Sequence, residues 1–225
     1  MRKLFVAGCS FSDYSQVDTV YGEVLAEKLG FDYVHEGSGC GSNYRIWRSI
    51  GQHILSGNLT ENDLLIVQYT STERREFWSH NEPLPSLPKT VNLNEGYYKG
   101  GSILKYKSFS TQWQRFEEEK QFLDLYEKYF CSIEYEEDWF RVMNSYFQSF
   151  LTTKNINTVF LETVYLYNLP YYGLDDKHRK LYFDWKKNLD NESYNLPNDK
   201  GHLSVLGHRK LADDLFDHIN KHIKF

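Results

Sequence analysis

No run of eighteen apolar residues occurs in the 225-residue chain, so the sequence holds no ordinary transmembrane helix. It also lacks a basic tract. Net charge is −5 with acidic and basic residues interspersed, which argues against a nucleic-acid partner. Cysteine is scarce: three residues, an odd number, favour free thiols in a reducing compartment. The apolar run after Met1-Arg2-Lys3 ends at Gly8, too soon for the core of a secretory leader. A cytoplasmic protein without membrane contact is therefore expected. Internal repeats, low-complexity tracts and an interdomain linker are missing too, so one domain over residues 1–225 is expected, long enough to bury a real core. What is present is a hydrophobic fraction of 40%, with 18 Tyr and 15 Phe, which excludes a disordered chain.

The first seventy residues alternate strand and helix patterns. Residues 3–7 read as a strand, and 20–29 as an amphipathic helix closed by Gly30. Residues 31–35 form a second strand. A glycine-rich loop, Gly37 to Gly41, leads into a helix over about 43–56. Residues 63–69, nearly continuous in apolar character, suit a buried parallel strand. This β-α-β-α-β series predicts a doubly wound α/β parallel sheet with right-handed crossovers. Residues 79–113 hold Pro83, Pro85, Pro88 and Gly100-Gly101 without a sustained period, which predicts a long loop, insertion or lid. Residues 114–152 read as helical, 157–162 as a fourth strand, and 168–198 as loop with a short element near Leu181 to Trp185. Ser204 caps a last helix over about 205–222, with Leu206, Leu211, Leu215, Phe216 and Ile219 toward the core.

In an open α/β sheet, ligands sit beyond the carboxyl ends of the strands, where the strand order switches direction. A first strand between the second and third would bring together the turns after residues 7, 35 and 69. Those turns carry Ser10, the Gly37–Gly41 loop and Thr70-Ser71. Ser10 follows the first strand, and Asp199-Lys200-Gly201-His202 precedes the last helix. A serine near one end with an Asp-x-x-His near the other implies a hydrolase built on a Ser-His-Asp relay.

With these residues in place, the chain resembles the SGNH (GDSL-type) hydrolase family. Gly8-Cys9-Ser10-Phe11-Ser12 stands where that family has Gly-Asp-Ser-x-[Ser/Thr], with cysteine in place of the aspartate. Gly41, or Gly39 behind it, matches the glycine of the second block. Gln68-Tyr69-Thr70-Ser71 stands where Gly-x-Asn-Asp is usual, so the asparagine is missing and Thr70 takes its place. Asp199 and His202 match the last block fully. The resemblance implies a flavodoxin-like three-layer α/β/α fold with an insertion after the third strand. It implies a nucleophile at Ser10, a base at His202 and an orienting carboxylate at Asp199. The oxyanion would be received by Ser10, Gly41 and Thr70. The implied reaction is hydrolysis of O-acyl esters, O-acetyl groups on carbohydrate among them, with no cofactor and no metal.

Plainer readings stand beside these. A turn serine, a helix-entry histidine and a catalytically silent carbohydrate-binding module on the same scaffold are the alternatives to the enzyme. A sugar O-acyltransferase is the alternative to the hydrolase. His208, on the last helix, reads as structural or surface. Arg74 is placed to contact an acidic substrate group; otherwise residues 72–76 are a solvated helix start whose ion pairs are worth little. Trp78, with the aromatics of the insertion, would stack on a sugar ring or pack the insertion onto the domain. Oligomeric state is not legible in the sequence.

Overall fold

The computed structural model describes residues 1–14, 16–38, 41–70, 72, 75–79, 105–109, 125, 128–129, 133–163, 181–197 and 199–225; for 75–79, 105–109, 133 and 199–201 it describes the backbone only. Five strands form a parallel sheet: β1 (Lys3–Gly8), β2 (Asp32–Gly37), β3 (Leu64–Tyr69), β6 (Asn157–Glu162) and β7 (Tyr182–Asp184). Their order is β2-β1-β3-β6-β7, and all four pairings are parallel. β1 thus lies between β2 and β3, and the switch in strand order falls at its carboxyl end, where Ser10 follows.

The period of two along each strand separates two cores. Leu4 and Val6 of β1, Leu64 and Ile66 of β3, and Val159 and Leu161 of β6 face one side. There they meet Tyr21, Leu25 and Ala26 of α1 (Tyr21–Leu29) and Leu211, Leu215 and Ile219 of the last helix (Val205–His222). Phe5, Ala7, Leu65, Val67 and Phe160 face the other side. They meet Ile46, Trp47 and Ile50 of α2 (Asn43–Leu55) and Phe140, Phe147 and Leu151 of α3 (Ile133–Thr153). With the last helix as α4, the architecture is a three-layer α/β/α sandwich. Burying each such Leu, Ile or Phe contributes about 1.5–3 kcal/mol, and both faces of the central strands are covered, as a parallel sheet requires.

Local signals end the helices where they stop. Gly30 takes the left-handed conformation at φ 68° and closes α1 by donating to Ala26 and Glu27 carbonyls. Ser204 caps α4 by accepting from the Gly207 N–H.

Three expectations need correction. Where 72–76 read as a helix start and 79–113 as a long loop, strand β4 (Arg75–Ser79) pairs antiparallel with β5 (Lys105–Phe109). The partner strand lies across the proline-bearing segment, so no local pattern reveals the pairing. Leu206, expected in the core, is 55% exposed. The buried stripe of α4 runs through His208, Leu211, Ala212, Leu215 and Ile219, and Leu206 falls off its phase. Finally, residues 195–196, expected in a loop, form strand β8 (Asn195–Leu196), paired antiparallel with β9 (Asp199–Leu203), which carries His202 just before the last helix. Residues 80–104 and 110–113 of the expected insertion lie outside the described residues.

Candidate active site

β1 ends at Gly8, and a 3-10 turn, Ser10–Ser12, follows at once with Cys9 at its N-cap. A Cβ on Gly8 would collide with Ser12 Oγ and Gln68 Oε1, so a side chain here would have to push both aside. Ser10 is almost wholly buried, at 8% exposure. From the far end of the chain, β9 delivers His202. Leu203 is buried in the core beside it. Ser204 donates its N–H to the Tyr194 carbonyl at 2.7 Å and its hydroxyl to the Ser193 carbonyl at 3.1 Å. The His202 ring stacks on Phe11 at 5.5 Å between centroids. Its Nε2 lies 2.8 Å from Ser10 Oγ, across 192 residues of sequence. That is hydrogen-bond contact between a hydroxyl and an imidazole, the geometry a base needs to take the serine proton.

Thr70 follows β3 at the same sheet edge and is fully buried. Its backbone is held on both sides by one carboxamide: Asn43 Nδ2 donates to the Thr70 carbonyl at 2.8 Å, and the Thr70 N–H donates to Asn43 Oδ1 at 3.0 Å. The Thr70 hydroxyl has no hydrogen-bond partner among the described residues. Gly41 reaches the same region. A Cβ there would sit 3.1 Å from the Gly8 carbonyl oxygen and 3.7 Å from Cys9 Cα. Its N–H, however, donates to the Ser38 carbonyl at 2.9 Å. The donor expected to face an oxyanion is engaged within its own loop here.

Asp199 opens β9, and its side chain lies outside the described residues, as do Gly39 and Arg74. Trp78 is placed in β4 by its backbone alone, opposite Tyr106. Cys9 is a free, buried thiol in the core. Among the described residues no group of three or more His, Cys, Asp or Glu is arranged to hold a metal ion, and no helix is long and apolar enough to cross a membrane.

No sequence-family profile matches the chain, and no curated protein matches it by sequence. Solved structures do match it in three dimensions. A protein of the G-D-S-L lipolytic family from Desulfitobacterium hafniense aligns over 97% of this chain and 99% of its own, with TM-score 0.54 and 10% identity. The psychrotrophic esterase EstA from Pseudoalteromonas, solved inhibited by monoethylphosphonate, aligns over 98% of each chain with TM-score 0.54 and 9% identity. An acetyl xylan esterase aligns over 96% of this chain and 99% of its own, with TM-score 0.50 and 15% identity. The chain has the GDSL-hydrolase fold.

The roles of two residues of this GDSL fold escaped the sequence reading. In the sequence Asn43 is only the first residue of the helix over about 43–56, and Gln68 only the first residue of the third block, one before the end of β3. Only the folded chain shows Asn43 clamping Thr70 and Gln68 reaching beneath the nucleophile turn. A polar residue within an otherwise apolar buried strand is the one available signal for Gln68. Asn43→Ala leaves a buried N–H and a buried carbonyl unpaired, an expected loss of roughly 2–4 kcal/mol in urea unfolding. Asn43→Asp keeps the acceptor but buries a carboxylate with an oxygen against the Thr70 carbonyl, so at neutral pH it should be at least as destabilising. Wild-type stability in Asn43→Ala would show that the clamp holds nothing.

Proposed function

We propose that this protein is a serine ester hydrolase. Ser10 attacks the acyl carbonyl while His202 Nε2 takes its proton. The tetrahedral intermediate then collapses, the leaving alcohol receives that proton, and an acyl group remains on Ser10 Oγ. Water, deprotonated by the same imidazole, attacks the acyl-enzyme and regenerates the serine. Asp199 orients the other ring nitrogen of His202 and stabilises the imidazolium. The developing oxyanion is received by the Ser10 N–H and the Thr70 hydroxyl, each such donor being worth ~10²–10³ in turnover.

The observation that carries this reading is the 2.8 Å contact between Ser10 Oγ and His202 Nε2. The buried Thr70 hydroxyl at the same edge supports it. The structural neighbours include an esterase inhibited by a phosphonate and an acetyl xylan esterase. We therefore take a short acyl ester, an acetyl group borne by a carbohydrate first of all, as the substrate class. Trp78 and Arg74 are the proposed contacts to the rest of that substrate.

A fluorophosphonate probe tests the nucleophile. Ser10 Oγ forms the new bond to phosphorus and fluoride leaves. One adduct per chain, mapped to the peptide carrying Ser10 and lost in Ser10→Ala, is expected. Sugar binding without any adduct would replace the enzyme with a binding module. Acetylated xylo-oligosaccharide should release acetate to water; transfer to an added sugar acceptor would make the protein an acyltransferase.

A further inference from the structure

The sheet's period of two puts Gln68, next after Leu64 and Ile66 on the same face of β3, into the core that faces α1 and α4. Thr163, the residue just after β6, follows Val159 and Leu161 at the same spacing. Both are completely buried, as are Ser12 and Tyr21. A buried carboxamide in an apolar layer is destabilising unless each of its groups is paired.

Here each is. Gln68 Nε2 donates to Thr163 Oγ1 at 2.6 Å and to Cys9 Sγ at 3.5 Å. Gln68 Oε1 accepts from the Ser12 hydroxyl. Since the Ser12 proton is committed to that carbonyl, the Tyr21 hydroxyl must be the donor in its 2.8 Å contact with Ser12 Oγ. The Tyr21 N–H in turn donates to His208 Nδ1 at 3.2 Å. Gln68 thus grips both flanks of the nucleophile: Cys9 immediately before Ser10, and Ser12 two residues after it. The Ser12 N–H donates to the Cys9 carbonyl at 2.9 Å, closing the same turn from its backbone.

We propose that Gln68 is the positioning residue of the nucleophile turn, fixing Ser10 Oγ against His202 Nε2 without touching substrate. This rests on the hydrolase reading only for its kinetic consequence; the positioning is a property of the turn. Gln68 sits on central strand β3, in register with Leu161 of β6 and next after Val67, the last residue paired with β1. Its side chain ties to that strand a three-residue turn whose own hydrogen bonds are few. A displacement of about 1 Å at a nucleophile costs on the order of 10²-fold in rate.

The test compares Gln68→Met, which keeps length and loses all three polar contacts, with Ser12→Ala, which removes one grip, and with Tyr21→Phe, which leaves both grips in place. Expected results are kcat lowered about 10- to 100-fold in Gln68→Met and less in Ser12→Ala, with KM little changed. Tyr21→Phe should keep kcat within about twofold while losing thermal stability, which separates positioning from general weakening of the core. A second readout is independent of catalysis. The His202 Nε2 nitrogen resonance reports its hydrogen bond to Ser10, and it should move toward the unbonded position in Gln68→Met and Ser12→Ala but not in Tyr21→Phe. If Gln68→Met does not fold, Ser12→Ala carries the same comparison. An unmoved resonance, or kcat and KM both at wild-type values, overturns the proposal. A moved resonance in a protein whose wild type neither hydrolyses esters nor takes the phosphonate label upholds the positioning and sinks the hydrolase reading.

Discussion

Replacing His202 with alanine is expected to lower kcat for a short-chain aryl acetate by on the order of 10³–10⁶-fold, and replacing Ser10 as well should add almost nothing. In the proposed mechanism the two act through one hydrogen bond: Ser10 Oγ and His202 Nε2 meet at 2.8 Å, so either residue without the other would be chemically idle. A serine without its base keeps its proton, and a base without its serine has nothing to activate. Strong non-additivity is therefore the signature of this pair, and it distinguishes a shared proton transfer from two separate roles in binding. The measurement is kcat and KM for wild type, His202→Ala, Ser10→Ala and the double variant, with KM expected to change little. Both side chains emerge from well-braced backbone, the 3-10 turn after β1 and the ribbon β8–β9. Truncation at either position should leave the fold intact. Losses that multiply across the double variant, or a Ser10→Ala protein as active as wild type, would remove the pair from the mechanism.

Much of this arrangement is legible in the sequence because the physics that builds it is local. The apolar runs of β1 and β3, the glycine that stops α1 and the serine that caps α4 each act within a few residues, and each stands where it was read. A first strand between the second and third, supposed in the sequence because it would create a switch point, is what the sheet has, and it brings Ser10 to the carboxyl edge. What stays hidden is pairing at a distance. The ribbon of β4 and β5 depends on a partner about thirty residues away across a proline-bearing segment. Asn43 reveals its grip on Thr70 only when α2 is docked against the end of β3. Gly41 was identified by its position in the loop, but the direction of its N–H is set by the loop's own turn, which turns it to Ser38. Leu206 shows the same limit in miniature: its side chain is apolar, yet the helix phase set by Leu211, Leu215 and Ile219 places it in water.

Lowering the pH from 7 to 5 is expected to cost this protein stability, and His208 is the main cause. The ring is 2% exposed, stacks on Tyr21 and accepts the Tyr21 N–H at Nδ1. Burial, with the neighbouring His202 imidazole adding to it, holds its pKa down to about 4 from an ordinary 6.5. The folded protein therefore keeps His208 neutral where the unfolded chain has already bound a proton. Between about pH 6.5 and 4 the unfolded state carries more protons, so stability falls as pH falls. Over the part of that window above pH 5 the loss amounts to roughly 2 kcal/mol. His218 is pushed the same way, also to about 4, by burial and by His222 and Lys221, and its greater exposure makes its share smaller. Glu36 acts lower down. Burial alone would raise it, but the His53 hydrogen bond and the charges of His53 and Arg45 hold it below its ordinary value of 4.5, so its contribution is lost only in stronger acid. Urea unfolding of wild type and His208→Asn at pH 7 and pH 5 separates these terms. Asparagine keeps an acceptor for the Tyr21 N–H but cannot take up a proton. The variant should be less stable than wild type at pH 7, where it loses the ring stacking, and should lose markedly less than wild type on going to pH 5. Parallel losses in the two proteins would mean that His208 does not govern the acid limb, and that the proton is taken up elsewhere.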